Sequence, residues 1–273
     1  LDIGQALVLG VVEGLTEFLP VSSTGHLTIV EQMLGLKVDD KGVTAFTAVI
    51  QSGAIAAVLI FFRTDILRLL GGVFRGLRSA DGRQSPDWRF AWYIVAGSVP
   101  IGIAGLAAKG AIEGPLRNLW VVGAALIAWS PVMVYAERRA RQDRRESDVN
   151  LKDALVVGVL QCAALVPGVS RSGATISAGL FRGLDRVTAT RLSFFLSIPA
   201  LTAAALLELP NALNKHVGAA PVIVGTVTSF VVAYVSVAWL LRFVAHHRIT
   251  WFVPYRAVVG VAVLVGMTIR AVA

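Results

Sequence analysis

Six long, mostly apolar stretches limit this chain more than any other feature: 43–62, 90–108, 119–136, 192–209, 219–241 and 252–270. A helix needs about 20 such residues to cross the hydrocarbon of a bilayer. Hydrocarbon offers the backbone no hydrogen-bond partners, so each stretch is expected to be a membrane-spanning helix. The composition agrees, with 56% apolar and 15% charged residues, against roughly 45–50% and about 25% in a soluble domain. That balance excludes a disordered chain and an ordinary cytosolic enzyme. The single cysteine, Cys162, has no partner for an internal disulfide. Disulfide scaffolds and cysteine metal clusters are therefore excluded as well. The expected fold class is an all-α polytopic membrane protein.

Two further apolar segments, 5–30 and 153–180, do not read as simple spans. Each has a proline, a Ser/Gly cluster and ionisable groups at its centre. Irregular backbone at membrane depth survives only where protein or a water-filled cavity covers it. Both are therefore expected to be re-entrant helical hairpins that enter and leave on one side. The charges support this layout. If neither hairpin crosses, loops 63–89, 137–152, 181–191 and 242–250 share a side and hold 17 of the 25 Lys/Arg. Lys37, Lys41, Lys109, Arg117, Lys215 and Arg270 fall opposite, while Arg171 and Arg256 lie within apolar segments. By the positive-inside rule the basic loops are cytoplasmic and both termini lie outside. Trp88, Trp92 and Trp251 fall near cytoplasmic span ends and Trp120 near an outer one, as interfacial aromatics do. The net charge of +8 is thus a topology signal, and no nucleic-acid partner is expected. The run 137–148 is read as a solvated basic loop touching anionic lipid. No basic n-region or cleavage site precedes the first apolar segment, so no signal peptide is expected.

The chain also repeats itself. At an offset of 148 residues, positions 6–25 show eight identities, including Gly10/Gly158, Ser22/Ser170 and Gly25/Gly173. The expected organisation is a first repeat at 1–136, a linker at 137–152 and a second repeat at 153–273. Each repeat is one hairpin plus three spans. Three is odd, so the two repeats are inverted, and inverted repeats with broken helices place their site near the midplane, where the breaks meet. Gly10 and Gly14 form a small-xxx-small spacing. It serves either a homodimer or close approach of the broken helices.

The residues at the breaks carry chemistry. Glu13 and Glu17 are four apart and share a helix face. In low dielectric they need a proton, an arginine or a divalent cation between them. Pro20 ends that helix. Val21-Ser22-Ser23-Thr24-Gly25-His26 follows, where Ser and Thr are good caps and the next half-helix offers free N–H groups to an anion. His26 sits in that first turn as a candidate acid–base group. The second break, Pro167-Gly168-Val169-Ser170-Arg171-Ser172-Gly173-Ala174-Thr175, supplies Arg171, whose guanidinium matches phosphate oxygens two at a time. Arg171 is expected to face an anion or to pair with a glutamate. This set suits phosphoryl chemistry on an anionic group in the membrane. No P-loop, GxGxxG or HExxH motif is present, so ATP-driven chemistry has no support.

At Gly10 through His26, and again at Pro167 through Thr175, the sequence resembles the undecaprenyl-pyrophosphate phosphatase family, of the bacitracin-resistance type. The resemblance implies a bacterial plasma-membrane enzyme that removes the terminal phosphate of undecaprenyl diphosphate and recycles the lipid carrier for peptidoglycan synthesis. It also implies a divalent-cation requirement and a site open to the outer side. Mapped here, the family's acidic motif falls on Glu13 and Glu17. Its Ser/His motif falls on Ser22, Ser23, Thr24 and His26, and its Arg motif on Ser170, Arg171, Ser172 and Thr175. Gln51, in a polar patch of the first span, is a further pocket candidate. The expected cation is Mg²⁺ or Ca²⁺, held by Glu13 and Glu17. Ser23 is the preferred nucleophile, with Glu17 or His26 taking its proton; direct attack by His26 or by water are the alternatives. A polyprenyl-phosphate transporter or flippase using the same midplane site is the rival function.

Overall fold

The computed structural model describes residues 1–37, 40–214 and 218–272, so Lys215 of the charge pattern lies outside the described residues. Twelve α-helices occur among them, and no strand. Six are long and apolar enough to span: Gly42–Phe61, Pro86–Ala107, Leu119–Arg139, Arg186–Leu207, Ala219–His246 and Ile249–Ala271. They coincide with the six expected spans, and the chain is an integral membrane protein. In helix order they belong to α3 (Lys41–Phe61), α5 (Pro86–Ala107), α7 (Leu119–Arg139), α10 (Arg186–Asn214), α11 (Ala219–His246) and α12 (Phe252–Val272).

Their outer faces show why water is the wrong solvent. Ile223, Val227, Val231 and Val235 form an exposed i, i+4 stripe on α11, and Val261, Val265 and Ile269 form one on α12. Such stripes are lipid-facing surface.

The two broken segments fold as pairs of short helices. The first pair is α1 (Ile3–Thr16) and α2 (Ser23–Met33), and the second is α8 (Leu151–Gln161) and α9 (Arg171–Phe181). Even α1, with 14 residues, reaches only about 21 Å of the roughly 30 Å of hydrocarbon. Local chemistry sets their starts. Asp2 with Gln5, and Asn150 with Asp153, form reciprocal capping boxes at α1 and α8. Ser22 and Ser170 then cap α2 and α9, each accepting from the backbone N–H three residues on, at Gly25 and Gly173. Both serines hold positive φ, 77° and 79°, a conformation that costs an L-residue about 1–3 kcal/mol. The same strained cap thus recurs at the offset of 148.

Packing follows the same pairing. The α1 helix lies on α11 and α3, as α8 lies on α5. A Cβ on Gly10 or Gly14 would meet the carbonyl oxygens of Gly225 and Ser229 at 2.6 Å. Both glycines are therefore used inside the chain to bring α1 against α11. Under the breaks, Phe18, Phe62, Phe194 and Phe195 are buried. Phe18 meets Phe194 edge-on at 5.3 Å, a geometry worth about 0.5–1.5 kcal/mol beyond area burial.

The basic loops depart from expectation. Segment 63–89 contains a sixteen-residue helix, α4 (Arg63–Arg78). It exposes Leu67, Leu70, Phe74 and Leu77 between its arginines, as an interfacial helix does. The run 137–148 is more than a solvated loop. Glu146 pairs with Arg68 and Arg191, each at 2.9 Å, and Arg191 also reaches Asp65 at 2.9 Å. Arg144 and Arg182 both close on Asp153, at 2.5 and 2.7 Å. These pairs join three basic loops that a charge count treats as separate. A short helix, α6 (Lys109–Glu113), precedes α7.

Candidate active site

The chain breaks between α1 and α2 at Pro20 and between α8 and α9, where a 3₁₀ turn (Cys162–Leu165) leads into Pro167, and the two breaks face each other. Ser22 Oγ accepts from the Gly168 N–H at 3.0 Å, and Ser172 Oγ donates to the Leu19 carbonyl at 2.8 Å. Gly168 has a φ of 101°, and a Cβ there would meet the Val122 carbonyl oxygen at 2.5 Å. Only glycine fits that position.

Arg256 of α12 completes the joint. It is 0% exposed. Its Nη1 donates to the Pro20 carbonyl at 3.0 Å, and its Nη2 to those of Gly168 at 2.9 Å and Val169 at 3.0 Å. A helix broken by proline leaves carbonyls without partners, and one planar guanidinium supplies donors to both breaks. In the sequence Arg256 stands out only as a charge within an apolar segment. The signal was a lone arginine inside an apolar helix, which marks function or structure by default.

Between the breaks lies a cluster of three groups. Ser23, at the first turn of α2, donates its hydroxyl to Glu17 Oε2 at 2.5 Å. Arg171, at the first turn of α9, donates Nη2 to Glu17 Oε1 at 2.9 Å. Its Nε and Nη1 are buried without a partner, and its guanidinium lies 5.9 Å from the Phe18 ring centre. Two spare donors in fork geometry beside a serine hydroxyl are what an oxyanion of phosphate needs.

These groups stand at the polar end of a groove of about 590 Å³, lined there by Glu17, Ser23, Thr24, Gln51, Ser170 and Arg171. The rest of the groove is mostly apolar, with Ser98 and Lys109 as its polar members. Val99 and Leu106 of α5 and Leu201 and Leu207 of α10 wall it. Val99, Leu106 and Leu207 are themselves half-exposed or more, so the groove opens sideways between α5 and α10.

The remaining expected site residues divide. Gln51 and Thr24 reach the groove. Glu13 is buried behind it, with Oε1 unpartnered. Ser172 ties the two breaks through Leu19, whereas Thr175 is fully buried and ties α9 to α10, 2.6 Å from Ser193 Oγ. His26 is bonded elsewhere than to the Ser23 hydroxyl, which donates to Glu17. Its Nδ1 lies 2.8 Å from the Ser22 carbonyl and its Nε2 lies 2.7 Å from Tyr255 Oη. A carbonyl only accepts, so Nδ1 carries the proton, and in the neutral ring Nε2 accepts from the tyrosine. With both nitrogens engaged, His26 braces the strained Ser22 turn. Tyr255, like Arg256, was not singled out from sequence.

Known proteins resemble this chain over nearly its whole length. The family described as bacitracin resistance protein BacA matches residues 6–262. A relative from Frankia casuarinae named undecaprenyl-diphosphatase 3 is 56% identical over 97% of this chain and 96% of its own length. One from Streptomyces coelicolor, named undecaprenyl-diphosphatase 1, is 58% identical over 96% of this chain and 94% of its own. An undecaprenyl-diphosphatase of Cutibacterium acnes is 50% identical over 95% of both. With a family match over residues 6–262 and relatives 50–58% identical over nearly their whole length, the chain belongs to the bacitracin resistance protein BacA family.

Proposed function

We propose that this chain is an undecaprenyl-diphosphate phosphatase: it hydrolyses the terminal anhydride of undecaprenyl diphosphate to undecaprenyl phosphate and inorganic phosphate. The observation that carries the reading is Glu17, which accepts from Ser23 with one oxygen and from Arg171 with the other. The isoprenoid tail lies along the apolar groove and leaves between α5 and α10. The diphosphate takes the polar end, where Arg171 Nε and Nη1 and the N–H groups that open α2 and α9 meet its oxygens. Ser23 Oγ attacks the terminal phosphorus, and its proton passes to Glu17 Oε2. A bond from Ser23 Oγ to phosphorus forms as the bridging oxygen leaves on the lipid phosphate and takes the proton from Glu17. Glu17, ionised again, deprotonates a water that attacks the phosphorus; the Ser23 Oγ–phosphorus bond breaks, inorganic phosphate leaves and the serine oxygen takes the proton back from Glu17. His26 and Tyr255 hold the Ser22 turn through both steps.

The donor set also fits a divalent cation, Mg²⁺ or Ca²⁺. Glu13 has a buried oxygen without a partner, and carboxylates suit hard cations. When bound, such an ion supplies positive charge against the transferring phosphoryl group. Glu17 is the weaker ligand, because both its oxygens already accept.

We read the two pairs of short helices as re-entrant hairpins of an inverted repeat. Their lengths, the matching Ser22 and Ser170 caps and the exchanged packing of α1 on α11 and α8 on α5 support this. Basic loops then lie in the cytoplasm, both termini outside, and the site opens outward in the bacterial plasma membrane, where carrier recycling sustains cell-wall synthesis and bacitracin resistance. The test of the chemistry is acid quenching during turnover. An acid-stable phosphoserine at residue 23 is expected, absent in Ser23→Ala. A Ser23→Ala enzyme that turns over at near wild-type rate would refute the covalent route.

A further inference from the structure

A second cavity, of about 190 Å³, adjoins the polar end of the groove and shares Ser23, Thr24 and Gln51 with it. Two carboxylates face it. Glu13 is 1% exposed and Glu31, of α2, is 0% exposed. Glu13 Oε1 and both oxygens of Glu31 have no hydrogen-bond partner. Arg117, from the connection between α6 and α7, stands 3.6 Å from Glu31 Oε2. That is an ion pair, too long for a well-formed hydrogen bond. Arg117 donates instead to Thr44 Oγ1 at 2.8 Å, and its own Nε is left buried and unpaired.

The hydroxyls on the wall sharpen the pattern. Thr28 donates to the Thr24 carbonyl at 2.8 Å, Thr47 to that of Thr44 at 3.0 Å, and Thr44 to that of Asp40 at 3.1 Å. Their protons are used by the helix backbone, which leaves lone pairs of Thr28 and Thr47 for the cavity, while Thr44 already accepts from Arg117. The result is a small chamber rich in acceptor oxygens, with two carboxylates against one guanidinium. A buried carboxylate held only by an arginine at 3.6 Å keeps much of the cost of burying its charge. Oxygen ligands of this kind match a hard divalent cation.

We propose that this chamber is a divalent-cation site in which Glu31 is the second carboxylate, opposite Glu13, with threonine hydroxyls completing the oxygen shell. The inference deepens the phosphatase reading and rests on it only for the role of the charge, which lies across the shared wall from Ser23. Arg117 occupies part of the site's electrostatic space and competes with the ion.

Electron paramagnetic titration with Mn²⁺ on the detergent-purified full chain tests this. Wild type is expected to bind one Mn²⁺, displaced by Mg²⁺ or Ca²⁺. Glu31→Gln should weaken binding at least tenfold. Arg117→Met should tighten it several-fold, an effect that a mere Arg–Glu staple between α2 and the outer loop does not produce. Wild type without Mn²⁺ binding, Glu31→Gln binding as wild type, or Arg117→Met binding more weakly would each overturn the site. Phosphate release from the same preparations separates the claims. A wild type that binds Mn²⁺ through Glu31 but releases no phosphate removes the phosphatase reading and leaves the site. A wild type that releases phosphate while Mn²⁺ binding ignores Glu31→Gln removes the site alone.

Discussion

Replacing Arg256 by methionine should damage this protein more than any other single change outside the groove. Methionine keeps most of the stem volume and removes every donor. Three contacts of 3.0 Å or less disappear, to Pro20, Gly168 and Val169. At roughly 1.5–3 kcal/mol for each hydrogen bond from a charged group, the gross loss is about 5–9 kcal/mol. Removing a buried cation relieves its own desolvation, which offsets several kcal/mol of that loss. A net destabilisation of about 3 kcal/mol remains, in line with breaking other buried charge networks. For a domain of this size that is a fall in melting temperature of about 6–12 °C. Activity should fall further than stability, because Pro20 and Gly168 flank the turns that carry Ser23 and Arg171. The assay is intrinsic-fluorescence melting in detergent beside phosphate release at a temperature where the variant is folded. Arg256→Lys should fall between the two, since an ammonium reaches one break but not both. A methionine variant that melts within about 2 °C of wild type and turns over normally would refute the idea that one guanidinium joins the breaks.

Gly168→Ala should lower the melting temperature and activity together, because a Cβ at φ 101° meets the Val122 carbonyl; unchanged melting would mean the backbone relaxes freely there. Ala203→Trp, in the apolar part of the groove, should raise KM for a long-chain diphosphate and leave turnover of a short, water-soluble one alone; equal effects on both would place the tail elsewhere. Burial pushes the Glu146 carboxyl up, but hydrogen bonds from Arg68 and Arg191 outweigh it and hold it below its ordinary value of 4.5. Its contribution to stability is therefore full above that value and is lost as pH falls through the lower folded one. Melting of wild type should drop across that acid range, and Glu146→Gln should show a shallower drop; parallel pH profiles would show the loop network to be stability-neutral.

Much of this was readable in the residues. The six spans follow from length and apolarity, which the bilayer turns into nearly deterministic rules. The breaks follow from Pro20 and Pro167 beside serine caps, and the pairing of Arg171 with a glutamate follows from the cost of an unpaired charge in hydrocarbon. What stayed hidden depends on long-range contact. Arg256 and Tyr255 come from the far end of the chain, and only folding brings them to Pro20 and His26. Glu31 and Arg117 lie beyond the motifs, and no local spacing joins α2 to the connection before α7. The α4 helix was hidden for a different reason. Its arginines, read as loop charge, sit on an amphipathic face whose leucines need an interface to lie in. Gly10 and Gly14 had two uses open from sequence, and their contact with α11 assigns them to the interior of the chain.

The most direct test of the central claim is inorganic phosphate release from undecaprenyl diphosphate by the purified protein, with Arg171→Ala and Glu17→Gln alongside. The account predicts release by wild type and loss of most of it in both variants while their folding persists. Intact diphosphate after incubation with folded, cation-supplied wild type, or near wild-type rates in either variant, would contradict it.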